Sequence, residues 1–171
     1  MIEEILHYNN IGTPSYLVQL VKYANSSSYT EKELKDFFLR KSIDNRHIFD
    51  GGVHFLILVD FFHLNKANKI EINELFLHFI ENDHLLIEKV KSLFLLQLSQ
   101  SNLFTEFFNK STMFYEKDRI LVIRSAAFKF KYAIIRHFLL DFNVISKHPY
   151  INKNYVVNND YKSYFNEVDI S

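Results

Sequence analysis

The first hydrophobic stripe begins just after Thr13-Pro14, where Tyr16, Leu17, Leu20, Val21 and Ala24 recur at the spacing of one helical face. Thr13 is a capping residue. Pro14 suits the first helical position because its missing N–H would have no partner there anyway. Asn25-Ser26-Ser27-Ser28 breaks the pattern. Thr30-Glu31-Lys32-Glu33 reads as a capping box, and Leu34, Phe37 and Phe38 give the helix after it an apolar face. The polar stretch Lys41 to Arg46 ends that helix. Gly51-Gly52 is expected to open a third, running through Val53, Leu56, Ile57 and Val59 to Phe61. Phe62-His63-Leu64, a polar turn from Asn65 to Lys69, and the alternating Ile70-Glu71-Ile72 then predict a two-stranded ribbon.

Glu74 to about Asn109 predicts helices, with stripes at Leu75, Phe76, Phe79 and Ile80, at Leu86, Ile87, Val90, Leu93, Phe94 and Leu98, and at Leu103, Phe104, Phe107 and Phe108. Met113-Phe114-Tyr115 and Ile120 to Ile123 flank a polar tetrapeptide as a hairpin would. Tyr132, Ile135, Phe138, Leu139 and Phe142 predict a last helix. Val144-Ile145 starts a strand, Ser146 to Pro149 turns, and Tyr150-Ile151 to Val157 returns. Setting Asp60-Phe61 against Asp141-Phe142 matches Leu64 with Ile145, and Asn73 with Asn158 once a longer second ribbon is allowed. Helices followed by a ribbon are the winged-helix order, and Leu58 to Asn73 resembles the helix-to-wing passage of such domains. The glycine usual between helix and wing is absent. The expected fold is α+β and mostly helical, with two winged-helix-like units braced by central helices. The expected boundaries are 1–82 for the first unit, 83–118 for central helices and a linker hairpin, and 119–171 for the second unit.

Composition narrows the classes of function. The chain has 171 residues, 48% of them hydrophobic, so it can bury a core and is not a disordered tail. With no Cys, disulfides and thiolate metal sites are excluded; with 3 Gly, phosphate-cradling loops are too. The acidic start Ile2-Glu3-Glu4-Ile5-Leu6 is unlike a signal peptide, and the longest apolar run, Phe55 to Leu64, is too short to span a bilayer. A cytoplasmic setting without membrane contact is therefore expected. The wealth of Phe, Tyr, Ile, Lys and Asn fits the codon bias of an AT-rich bacterial genome.

Charge changes the picture when divided along the chain. The 20 basic and 20 acidic residues cancel. Residues 1–118 carry 12 Lys and Arg against 16 Asp and Glu, whereas 119–153 carry seven basic residues and one acid, Asp141. Lys129, Lys131, Arg136, Lys147 and Lys153 are the candidates for contact with DNA phosphates or with an acidic protein partner; the alternative is a solvated face. Adjacent Phe pairs cannot point the same way on a helix, so Phe37, Phe62, Phe107 and Phe108 are candidates for a protein interface, the alternative being a bulky core.

A search for chemistry finds no catalytic set. Among eight His, no pair has the i, i+4 spacing that places two metal ligands on one helical face. Glu74 and His78 have that spacing but read as a surface pair. His137 reads as half-buried. Glu33-Leu34-Lys35 matches a nuclease tripeptide without the strand or the Asp that such a site needs. The expectation is a protein that is not an enzyme, with no cofactor and no metal.

In length, neutral charge and element order, with the passages Asp60–Asn73 and Asp141–Asn158, the chain resembles the small accessory subunits of bacterial chromosome-structuring and SMC-like ATPase complexes. Those include the middle subunit of Lamassu-type anti-phage systems. The resemblance transfers no functional residue. It implies a non-catalytic adaptor that bridges an ATPase and an effector, with double-stranded DNA as a secondary contact. The alternative is a small winged-helix regulator that reads duplex DNA.

Overall fold

The computed structural model describes Ile2 and residues 11–40, 46–124 and 133–165. The protein is α+β and mostly helical, with two small antiparallel sheets. It forms two compact units, Met1–Gln97 and Leu98–Ser171.

In the first unit, helix α1 (Pro14–Ser26) starts where the Thr13 hydroxyl accepts the Tyr16 N–H at 3.2 Å. It buries Leu17, Leu20 and Val21. Helix α2 (Glu31–Arg40) opens on a reciprocal cap. The Glu33 N–H donates to Thr30 Oγ1 at 3.2 Å, and the Thr30 N–H donates to Glu33 Oε2 at 2.7 Å. The Thr30 N–H, then its hydroxyl, holds the Glu33 carboxyl below the usual carboxylate range. A carboxyl lowered by folding stabilises above its unfolded value, and that contribution disappears as pH falls through the folded one. Amide protection at Thr30 is therefore expected to weaken on acidification through Glu33, and Glu33→Gln to remove that pH dependence. Parallel acid profiles for the two proteins would show that the cap carries no such linkage.

Helix α3 (Arg46–Leu58) corrects one expectation: Gly51-Gly52 does not open it but lies buried inside it. A Cβ on Gly52 would stand 3.3 Å from the Ile11 carbonyl, the Leu20 side chain and the Tyr16 ring. The glycine marks a close crossing, where a side chain would push neighbours apart.

Beyond α3 the chain turns into β1 (Phe62–Leu64) and β2 (Ile70–Ile72), paired Phe62 with Ile72 and Leu64 with Ile70. The α1–α2 connection adds an isolated bridge to this ribbon. The Tyr29 carbonyl accepts the Ile70 N–H at 2.7 Å, and Thr30 bridges Lys69. Three helices followed by an antiparallel ribbon are the order expected for this half. A 3-10 turn (Glu74–Phe76), helix α4 (Leu77–Ile80) and helix α5 (Asp83–Ser99) follow. α5 buries Leu86, Val90 and Phe94, and Phe94 sets its ring 5.9 Å from that of Phe55.

The second unit contains α6 (Asn102–Asn109), β3 (Met113–Glu116), β4 (Ile120–Arg124), α7 (Ala133–Asp141), β5 (Ile145–Lys147) and β6 (Asn154–Val157), then a 3-10 segment (Asn159–Phe165). Its strands form one antiparallel sheet in the order β3-β4-β6-β5. The hairpin expected to link two units is thus half of a sheet, because β4 pairs with β6, Val122 opposite Val156. Residues 83–118 are shared between the units: α5 falls in the first up to Gln97, whereas α6 and the hairpin belong to the second. Among the described residues no helix is long and apolar enough to cross a membrane.

Candidate functional site

The internal repeat is present, in a register two residues from the expected one. Helix α3 ends with the Phe61 N–H donating to the Leu56 carbonyl and the Asp60 N–H to that of Ile57. Helix α7 ends with the Val144 N–H donating to Leu139 and the Asn143 N–H to Leu140. Both are Schellman endings, and Asp60 (φ 59°) and Asn143 (φ 54°) occupy the left-handed position that glycine usually fills. Asp and Asn tolerate this conformation, which accounts for the missing glycine. Asp60 therefore matches Asn143, not Asp141, and Phe62 rather than Leu64 matches Ile145.

Further along, the Asn73 N–H donates to the Phe61 carbonyl and the Asn158 N–H to that of Val144. Each Asn also donates from Nδ2 to the backbone carbonyl of the left-handed residue, Asp60 at 3.0 Å and Asn143 at 3.4 Å. The Asn73–Asn158 match stands as expected. The frame is built twice, and what differs is the ribbon tip it carries.

In the first tip, Asn65 Oδ1 accepts the Ala67 and Lys69 N–H groups at 2.8 and 3.1 Å, while its Nδ2 donates to Glu71. In the second, His148 stands at the equivalent place. The His148 N–H donates to the Asn154 carbonyl as the Asn65 N–H donates to that of Lys69, both at 2.9 Å. His148 Nδ1 accepts the Tyr150 and Ile151 N–H groups at 3.1 and 2.9 Å. A ring nitrogen that accepts two N–H groups carries no proton, so Nε2 carries it and donates to Glu116 Oε2 at 3.1 Å. The His148 side chain is only 6% exposed. Pro149 carries no N–H, so Tyr150 supplies the first donor of the tip.

The second tip is the more distinctive surface. Tyr150 is 92% exposed and Ile151 46%, flanked by the exposed Lys147 and Lys153. Residues 146–154 include no carboxylate. The expected strand start at Tyr150-Ile151 is corrected: both lie in the tip, and β6 begins at Asn154. Asn152 Oδ1 accepts the Lys153 N–H, with Lys153 at φ 64°.

The candidate basic residues separate. Lys147 and Lys153 share one ribbon, Arg136 is half-buried on α7, and Lys129 and Lys131 lie outside the described residues. His137 is exposed, not half-buried, because Ile135, Phe138, Leu139 and Phe142 cover the opposite side of that helix. Of the candidate interface phenylalanines, Phe62 and Phe107 are corrected to core, both fully buried. Phe61 and Phe62 can both point inward because they lie beyond the end of α3, where the chain changes direction into β1. Phe107 packs beside Phe104, with ring centroids 6.0 Å apart. Phe37 is half-buried against Tyr23 and Tyr29, and the Phe108 side chain lies outside the described residues.

Elsewhere, Lys35 of the Glu-x-Lys tripeptide pairs with Asp50 while Glu33 caps α2. The His78 ring lies 3.9 Å from that of Phe79. Among the described residues, no group of three His, Asp or Glu is placed to hold a metal ion. By structural unit, residues 1–97 carry ten Lys and Arg against 13 Asp and Glu, and residues 98–171 carry ten against seven, so the units bear −3 and +3. Comparison with protein-family models, with curated proteins and with solved structures gives no match to the chain.

Proposed function

We propose that the chain is a non-catalytic adaptor subunit of a multi-subunit assembly, binding larger protein subunits through two related ribbon tips. The observation that supports this reading is the duplicated frame with unlike tips, one polar and one aromatic, on units of opposite net charge. A repeated scaffold with divergent tips suits two different attachments, and surface Tyr and Ile between lysines suit a protein surface that bears carboxylates. The resemblance to small accessory subunits supplies the kind of partner: an SMC-like ATPase and an effector, in a bacterial cytoplasmic complex of the anti-phage type, with DNA contact secondary. Co-expression with the genes that flank its own, followed by purification on the chain, is expected to yield a stoichiometric ATPase. A chain that purifies alone overturns the reading.

One observation favours the alternative, a winged-helix DNA-binding regulator: Lys147 and Lys153 flank an exposed aromatic on the second ribbon. On that reading Lys147→Glu with Lys153→Glu abolishes duplex binding, and the salt slope of the unmodified protein is about 0.9 per phosphate neutralised. Under the adaptor reading the same pair of changes releases the protein partner and leaves any duplex binding nearly intact.

A further inference from the structure

Asn65 and His148 perform one task at matching places in the two ribbons. Each offers an acceptor to two backbone N–H groups of its tip, and each turns its donor end to a glutamate, Glu71 or Glu116. The chemistry differs in one respect. An amide oxygen accepts at any physiological pH, whereas an imidazole nitrogen accepts only while it carries no proton.

The pair with Glu116 also joins distant parts of the sheet. Glu116 ends the edge strand β3, and His148 follows the opposite edge strand β5. Their side chains meet at 3.1 Å although the two strands lie on opposite edges of the sheet. The His148 ring therefore ties the tip to β3 as well as to its own ribbon.

The charged and titratable groups around that ring come from every neighbouring strand. Glu116 of β3 touches Nε2. Arg124 of β4 is in register with Asn154, its guanidinium 5.4 Å from the Phe114 ring centroid. Tyr155 of β6 is in register with Lys147, and Lys147 and Lys153 are exposed on the same ribbon as His148.

Protonation acts on the two ring nitrogens unequally. Nε2 keeps its hydrogen bond to Glu116 and gains an opposite charge across it. Nδ1 changes from acceptor to donor and then faces two N–H groups that it can no longer serve. We propose that His148 is a proton-operated latch: neutral, it holds the Tyr150–Ile151 tip in one conformation, and protonated, it releases the tip while remaining bound to Glu116. The side chains under its control are Tyr150 and Ile151, so the latch sets how firmly the second unit presents the exposed Tyr150 ring. This device belongs to the ribbon itself and stands whichever partner the tip meets.

The test uses the full chain and amide exchange corrected for its intrinsic pH dependence. Between about pH 8 and pH 5, where imidazoles change charge, protection at Tyr150 and Ile151 is expected to fall by about fivefold or more, the loss of one hydrogen bond's worth at each amide. Ala67 and Lys69, held by Asn65, are the internal reference and stay level. His148→Asn is expected to keep the tip amides protected and to flatten their pH profile. Tip amides that follow Ala67 and Lys69 overturn the latch, as does an unchanged pH profile in His148→Asn. Ring nitrogen spectra of the unmodified protein decide independently of any variant. Nδ1 must be bare at the neutral end and protonated at the acidic end, and a proton on Nδ1 throughout would sink the proposal.

Discussion

Phe38→Ala is expected to lower the stability of the first unit by about 3–5 kcal/mol, the range for truncating a buried phenylalanine. Phe38 is fully buried on α2. Its ring meets Tyr16, Tyr23 and Phe49 at centroid distances of 5.7, 5.4 and 5.7 Å, the first two edge-on. Alanine removes the common member of that cluster. The three rings around it are carried by α1 and α3, whose mutual spacing is fixed by the Gly52 crossing. They cannot close the space without moving helices, so the cavity term is large. Natural domains are stable by only about 5–15 kcal/mol, so this single change brings the unit near its limit. The measurement is the urea midpoint of the first unit, with an unchanged slope as the sign that the same surface unfolds. Phe37→Ala is the internal control. Phe37 is half-buried, and the expected loss is less than half as large. Equal losses at the two positions would mean that the cluster has no distinct centre.

The contrast between Phe37 and Phe38 also shows how much was legible in the sequence. Signals confined to one turn were readable atom by atom. Thr13-Pro14 and the Thr30–Glu33 box start helices with the hydrogen bonds that their spacing requires. The first ribbon was readable from the alternation of Ile70-Glu71-Ile72. Gly51-Gly52 was misplaced because a glycine that opens a helix and one that lets two helices cross look alike along the chain. The difference lies in Ile11 and Leu20, many residues away. Phe62 was misassigned for a related reason: the helical face rule fails once the chain leaves the helix at Asp60.

The candidate site was less legible, because it depends on pairings across long separations. The β4–β6 pairing that turns a linker hairpin into half a sheet joins residues thirty or more apart. The contact between Glu116 and His148 has a separation of 32. Nothing local to Tyr150-Ile151 announces a tip rather than a strand, since both are good strand residues. The signal that could have found it was His148-Pro149 aligned on Asn65-Lys66. That alignment required the repeat in its true register, anchored on the left-handed residues Asp60 and Asn143, not on the paired aspartates that look alike.

The true register yields a second large effect, in the other unit. Phe142 is the residue just before Asn143, as Val59 is just before Asp60, and both are buried. The frame therefore places a side chain into the core at the last turn of its helix. The first unit fills that place with valine, the second with phenylalanine. Phe142→Ala is expected to cost about 3–5 kcal/mol, against about 2 kcal/mol for Val59→Ala, which removes two methyl groups at roughly 0.8 kcal/mol each plus a small cavity. The loss at Phe142 reaches the tip through identified bonds. Its own N–H donates to Phe138, the next residue but one donates to Leu139, and Asn158 closes the ribbon onto Val144, all at 2.8–2.9 Å. Amide exchange at Val144 and Asn158 reads that chain directly. If Phe142→Ala unfolds the ending, protection at both amides falls together and His148 loses the strand on which it stands. If protection there is unchanged while global stability drops, the frame is held by its hydrogen bonds alone, and the packing under it is incidental to the way the tip is carried.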